Sequence, residues 1–191
     1  MTAQCRAVVA FAGALLFAAA VAPVPAQASS APFTIDGSFS LKSVDGHTVT
    51  DRDFRGKWML IYFGYTYCPD VCPTVLSQIG NALRRIDPRA SRFQPIFITL
   101  DPARDSPRVL KSYLQAIDPR FIGLRGDAET TKEVADQFHV YFRLRQIGGG
   151  QYTVDHSSFV YVFDPKGRFV ALLTGDMRGH ALADAFVRLA R

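Results

Sequence analysis

Apolar residues fall along this chain in two alternating patterns, short unbroken runs and stripes spaced by three and four. Trp58-Met59-Leu60-Ile61-Tyr62-Phe63 is apolar throughout, as a strand buried on both faces should be, and the strand is read from Lys57 to Phe63. Val75, Leu76, Ile79, Leu83 and Ile86 then draw one helical stripe, which predicts a helix from about Pro73 to Ile86. Arg92 to Leu100 is a second buried strand. It runs into a loop where Ser106 caps a helix that starts at Pro107 and ends near Ile117. Phe121 to Leu124 is short and apolar, Glu129 to Phe138 helical, and Tyr141 to Ile147 extended. After the turn Gly148-Gly149-Gly150, the segments Tyr152 to Phe163 and Phe169 to Leu173 read as paired strands joined by Asp164-Pro165-Lys166-Gly167. A closing helix, His180 to Leu189, carries Leu182, Phe186 and Leu189 on one face. Upstream, Phe33 to Phe54 around Asp45-Gly46 reads as a small hairpin or edge extension. Strands alternating with helices, closed by a hairpin and a helix, predict a three-layer α/β fold with a mixed sheet.

The chain has 191 residues, 48% of them hydrophobic, enough for one sizeable core with no call for a second. Its start lies outside that core. Arg6, the apolar run Ala7 to Val21 and the Ala-x-Ala ending at Ala28 read as a secretory signal cut after Ala28, which leaves 29–191 as a single domain. A retained membrane anchor is the competing reading, but the run is shorter than the roughly 20 residues of a bilayer span. Cys5 goes with the signal. The chain carries 22 basic and 17 acidic residues, a net charge of +5 that falls by one when Arg6 is lost. A surplus that small, without blocks of like charge, argues against nucleic acid as a partner. The domain is expected to be exported and monomeric.

Cys68 and Cys72 then remain, four residues apart where the first buried strand gives way to the first helix. Unpaired N–H groups and the helix macrodipole favour negative charge there, so a thiol tends to ionise, and the thiolate is both nucleophile and metal ligand. Side chains at i and i+4 of a helix lie about 5 to 6 Å apart, within small rotations of a disulfide or of one shared metal ion. If Pro73 is the first helical residue, the two cysteines instead sit in a tight loop before it. A structural disulfide is the ordinary reading of an exported pair, yet the loop it would close is too short to remove much chain entropy.

Two thiolates suit a soft ion such as Cu(I) and need a further donor. The histidines are His47, His139, His156 and His180. His156, at the start of a strand read from Ser157 to Phe163, would reach the sulfurs if that strand lies antiparallel beside Lys57–Phe63. His47, in a turn, and His180, at a helix start, read as ordinary exposed residues. Asp155 is placed to orient its neighbour or nearby backbone, although strand alternation opposes direct contact. Asp70 lies between the sulfurs as a docking group or a plain first-turn carboxylate. Asp101 and Arg104 shape the adjoining loop.

Three segments together, Gly64 to Pro73, Asp101-Pro102-Ala103-Arg104-Asp105-Ser106-Pro107 and Val154-Asp155-His156, resemble the signature segments of the Sco/SenC family. The resemblance spans the domain from about residue 33 onward. It implies a thioredoxin-like fold with an N-terminal hairpin extension, a site for Cu(I) or Cu(II) made of Cys68, Cys72 and His156, and a bacterial periplasmic location, held at the inner membrane if the signal is kept. The family delivers copper to the dinuclear centre of cytochrome c oxidase, or reduces that centre's cysteines before loading. The partners implied are the oxidase's copper-bearing subunit and another periplasmic copper chaperone or thiol reductase. Two functions therefore stand side by side: a metallochaperone, and a thiol-disulfide oxidoreductase with Cys68 and Cys72 as its catalytic redox pair. The spacing CxxxC in place of CxxC, with Ser158 where a reductase carries its proline, leans toward the chaperone.

Overall fold

The computed structural model describes residues 34–177 and 180–191. The expected signal and its cleavage site lie outside the described residues. Among the described residues, nine strands and four helices follow in the order β1 (Ser40–Ser43), β2 (Thr48–Thr50), β3 (Trp58–Gly64), α1 (Val71–Ile86), β4 (Phe93–Thr99), α2 (Pro107–Ile117), β5 (Ile122–Arg125), α3 (Ala128–Gln137), β6 (Phe142–Gly148), β7 (Gln151–His156), β8 (Phe159–Phe163), β9 (Phe169–Thr174) and α4 (His180–Leu189). Seven strands form one sheet in the order β2-β1-β5-β4-β3-β8-β9, and β6 and β7 form a separate hairpin.

β3 pairs in parallel with β4, and β4 with β5, while β8 runs antiparallel beside β3 with Tyr62 opposite Val160. β3 and β4 lie in the middle of the sheet and are buried almost along their whole length, which is why they read as unbroken apolar runs. The helices cover both faces. On one, Phe97 of β4 meets Tyr113 of α2 and Phe93 meets Phe186 of α4. On the other, Phe138 at the end of α3 packs edge-on against Phe63, Tyr161 and Phe163. The mixed sheet, the three layers and the hairpin β1–β2, which extends the sheet through β5, are as the sequence predicts.

Two expectations are corrected. α1 begins at Val71, two residues before Pro73. Proline is tolerated there because the first N–H groups of a helix have no intrahelical acceptor, so none is lost. The run Tyr152 to Phe163 is not one strand: β7 ends at His156, β8 begins at Phe159, and they belong to different sheets. The break falls at Ser157-Ser158. The Ser157 N–H donates to the Tyr141 carbonyl at 2.9 Å and closes the base of the β6–β7 hairpin, whereas the Ser158 hydroxyl bonds Tyr62 of β3 at 3.0 Å. His156 therefore ends the hairpin and does not open the sheet strand.

Candidate metal centre

Cys68 lies in the loop between β3 and α1, and Cys72 is the second residue of α1. The Cys72 N–H, one of the donors a helix start leaves unpaired, points at the Cys68 sulfur at 3.3 Å, so the sulfur itself helps cap the helix. Asp70, at the N-cap position, makes no side-chain cap bond and is exposed. From across the sheet, the antiparallel β8 brings the end of the hairpin against the carboxyl end of β3. His156 Nε2 reaches to 3.4 Å from Cys72 Sγ, and the three donor atoms of Cys68, Cys72 and His156 lie within 4.8 Å of one another. Cys72 is fully buried and Cys68 half-buried, so the group opens outward through Cys68.

Two hydrogen bonds set its chemistry. His156 Nδ1 lies 2.8 Å from the Ser157 carbonyl, which can only accept, so Nδ1 carries the proton and the Nε2 lone pair faces the sulfurs. The sulfurs share the second proton unequally. The Cys72 thiol donates to Cys68 and holds its pKa down to about 4, against burial and with added help from the Cys72 and Asp70 N–H groups. Cys72 is pushed up by that same thiolate and by burial, so at neutral pH the pair is one thiolate and one thiol. Two sulfurs and one imidazole make a soft set matched to copper, with the backbone carbonyl supplying the usual outer support for a ligating histidine.

Asp155 does not orient His156. It is half-buried and forms a two-pronged pair with Arg145 on the neighbouring strand, at 2.8 and 3.2 Å. The hairpin is held elsewhere. Asp101, 2% exposed, binds the Arg104 guanidinium and accepts from the Tyr152 hydroxyl at 2.9 Å. Arg104 in turn donates to the Tyr152 carbonyl at 2.8 Å and lies over that ring at 3.7 Å and over Tyr67 at 5.0 Å. A loop-shaping role for Asp101 and Arg104 was expected; their grip on β7, four residues before His156, was not. Tyr65 adds a second tie, its hydroxyl 2.8 Å from that of Thr153.

Asp105 was also missed. Fully buried, it accepts from the Thr66 N–H at 3.0 Å and the Thr66 and Thr99 hydroxyls at 2.6 and 2.5 Å, and so fastens the cysteine loop to the end of β4. Burial raises its pKa and these donors oppose the rise. The signal available was the segment Asp101–Pro107 itself, whose charged residues exceed what a capped turn needs. His47, His139 and His180 are exposed and fall outside the three-donor group.

Fold and site together define a thioredoxin-like domain whose paired thiols are joined by an imidazole, a class built for a soft metal ion or dithiol exchange. The SCO1/SenC family model matches residues 27–191, and the chain belongs to that family. It is 41% identical over 155 residues to the protein sco1 of Schizosaccharomyces pombe, covering 79% of this chain and 59% of that one. To the SCO2-like protein of Rickettsia prowazekii it is 38% identical over 154 residues, covering 80% and 75%. The chain thus spans about half to three quarters of the length of such relatives. Among solved structures it is similar to Bradyrhizobium japonicum ScoI with copper bound, at 39% identity and a TM-score of 0.74, with 81% of this chain and 99% of that one covered. Yeast Sco1 with copper bound gives 38% identity and 0.75, covering 82% and 88%.

Proposed function

We propose that this protein is a copper metallochaperone that delivers copper to the dinuclear centre of cytochrome c oxidase during assembly, with Cys68, Cys72 and His156 as the ligands of its cargo. The observation that carries the reading is the approach of two sulfurs and one unprotonated ring nitrogen to within 4.8 Å. Three donors leave a copper ion short of a full shell, and the half-buried Cys68 faces outward. An incoming thiolate of the acceptor can therefore take the ion by stepwise exchange, without a naked copper ion in solution. Tyr67, just before Cys68, and Val71, just before Cys72, are 59% and 48% exposed and give the acceptor an apolar surface to dock on.

Family membership supports the oxidase's copper-bearing subunit as the acceptor, and the copper-bound relatives support copper, as Cu(I) or Cu(II), as the cargo. In this reading residues 1–28 are a secretory signal and 29–191 the working domain in the bacterial periplasm, held at the inner membrane where the signal is kept. A second copper chaperone or a thiol reductase there would load or reduce it.

The low pKa of Cys68 favours a second reading, thiol-disulfide oxidoreduction. The Cys68 thiolate attacks a disulfide of the oxidase subunit and displaces one of its sulfurs. Cys72 then loses its proton and attacks Cys68, releasing the reduced dithiol and leaving a Cys68–Cys72 disulfide. Mixing the copper-loaded protein with the reduced oxidase copper domain, in the absence of any electron donor, separates the two. Copper found on the acceptor supports delivery. An acceptor that stays metal-free, but whose disulfide form is reduced by the copper-free dithiol protein, supports the alternative.

A further inference from the structure

Beyond the carboxyl ends of β4 and β5 lies a cavity of about 310 Å³, at the lower end of the roughly 300–1,000 Å³ of small-molecule sites. Its walls are mostly apolar, with Leu100, Pro102, Phe142 and Leu144 among them. Two polar groups in the lining have nothing to bond. Thr131 is 3% exposed and its hydroxyl has no partner, and the buried Nε–H of Arg125 has none either. The remaining charges are accounted for. Asp101 is held by Arg104 and Tyr152, and Asp127 accepts the Thr130 N–H at 2.8 Å to start α3. Arg125 donates through Nη2 to the Pro102 carbonyl at 2.9 Å and has no carboxylate partner among the described residues.

We propose that this cavity is a binding site for a small apolar monocarboxylic acid, an aryl or branched-chain one, whose carboxylate takes the Arg125 Nε–H and the Thr131 hydroxyl while its apolar body packs on Phe142 and Leu144. A carboxylate suits the site better than a neutral head because the donor is a guanidinium lacking a counter-charge, and charge-assisted bonds are the stronger ones. The site communicates with the metal centre through the hairpin. Phe142 stands directly opposite His156 in the β6–β7 register, and Tyr152 lines the cavity while also anchoring β7 to Asp101. An occupant that packs on Phe142 acts on the strand that carries His156, and linkage makes the effect on copper and on the acid reciprocal.

Titrating the metal-free full chain with phenylacetate, followed by NMR, tests this without reliance on copper chemistry, so a failed transfer assay leaves it intact. Saturable shifts at the Arg125 Nε–H, Thr131, Phe142 and the His156 ring are expected. Arg125→Gln and the near-isosteric Thr131→Val should each weaken binding tenfold or more while the remaining amide spectrum stays native. Equal binding by either folded variant, equal affinity for the neutral 2-phenylethanol, non-saturable shifts, or a His156 ring unmoved at saturation would overturn the proposal.

Discussion

His156 presents Nε2 to Cys72 Sγ at 3.4 Å because its other nitrogen is tied to the carbonyl of the next residue, Ser157. The contact joins β7 of the hairpin to the first turn of α1, at positions 84 apart in the chain, and it is the step that turns a dithiol into a three-donor group.

His156→Ala should therefore lower copper affinity by at least about 100-fold, beyond the 10–100-fold typical when only an outer support of a ligand is lost. The Cys68/Cys72 couple should still oxidise and reduce. Competition against a copper chelator, with thiol counting on the same sample, reads both. Unchanged copper affinity would remove the ring from the site.

Copper binding should release a proton held by Cys72. Since Cys68 is held down to about 4 and Cys72 is pushed up, the free protein between pH 7 and 9 carries one thiolate and one thiol, whereas the copper-bound set needs two thiolates. Affinity should rise about tenfold per pH unit across that window and fall as the pH is lowered. Proton release measured by calorimetry in buffers of different ionisation enthalpy should approach one per ion; zero would contradict the thiolate–thiol assignment.

Arg104→Gln should loosen the hairpin. It removes the charge partner of the buried Asp101 and the donor to the Tyr152 carbonyl. Breaking a fully buried pair costs about 3–5 kcal/mol, but the Arg104 side chain is 23% exposed, so a loss nearer ~2 kcal/mol is expected in urea unfolding. Copper affinity should drop with it, and a nearly isoenergetic Tyr67→Phe control should leave both in place.

Gly64→Ala should disturb the site from beneath. A methyl group there would stand 3.0 Å from Cys72 Sγ, 3.1 Å from the Phe97 ring and 3.2 Å from the Tyr62 ring, all in the packed core. Overpacking of this kind costs about 1–3 kcal/mol. With the sulfur pushed off its position, weaker copper binding should accompany the lower midpoint of thermal unfolding.

Much of this arrangement was legible in the residues. The helix Pro107–Ile117 lies where its serine cap and leading proline predict, and the Ser106 hydroxyl accepts the Val109 N–H. The stripe Val75, Leu76, Ile79 and Leu83 is buried as one face of α1. Tyr152 to Phe163 misled because both of its halves are extended and apolar enough for one strand; the change of sheet at Ser157-Ser158 is made by bonds to Tyr141 and Tyr62, residues distant in the chain. Asp155 drew attention by adjacency to His156, yet its charge is taken by Arg145 across the hairpin, as alternation of side chains requires.

By itself the sequence determined most of the elements, the burial of β3 and β4, the meeting of Cys68 and Cys72 at a helix start, and a signature specific enough to imply the third donor. All but the last are local properties, dictated by periodicity, capping and spacing; the third donor is what the family resemblance implies. Only the tertiary structure decided which nitrogen of His156 faces the sulfurs, which thiol keeps the proton, and that Asp101 and Arg104 hold the strand carrying the ring. Each of these depends on distances between groups from separate elements, and such distances arise only when the antiparallel β8 brings the hairpin's end beside the carboxyl end of β3.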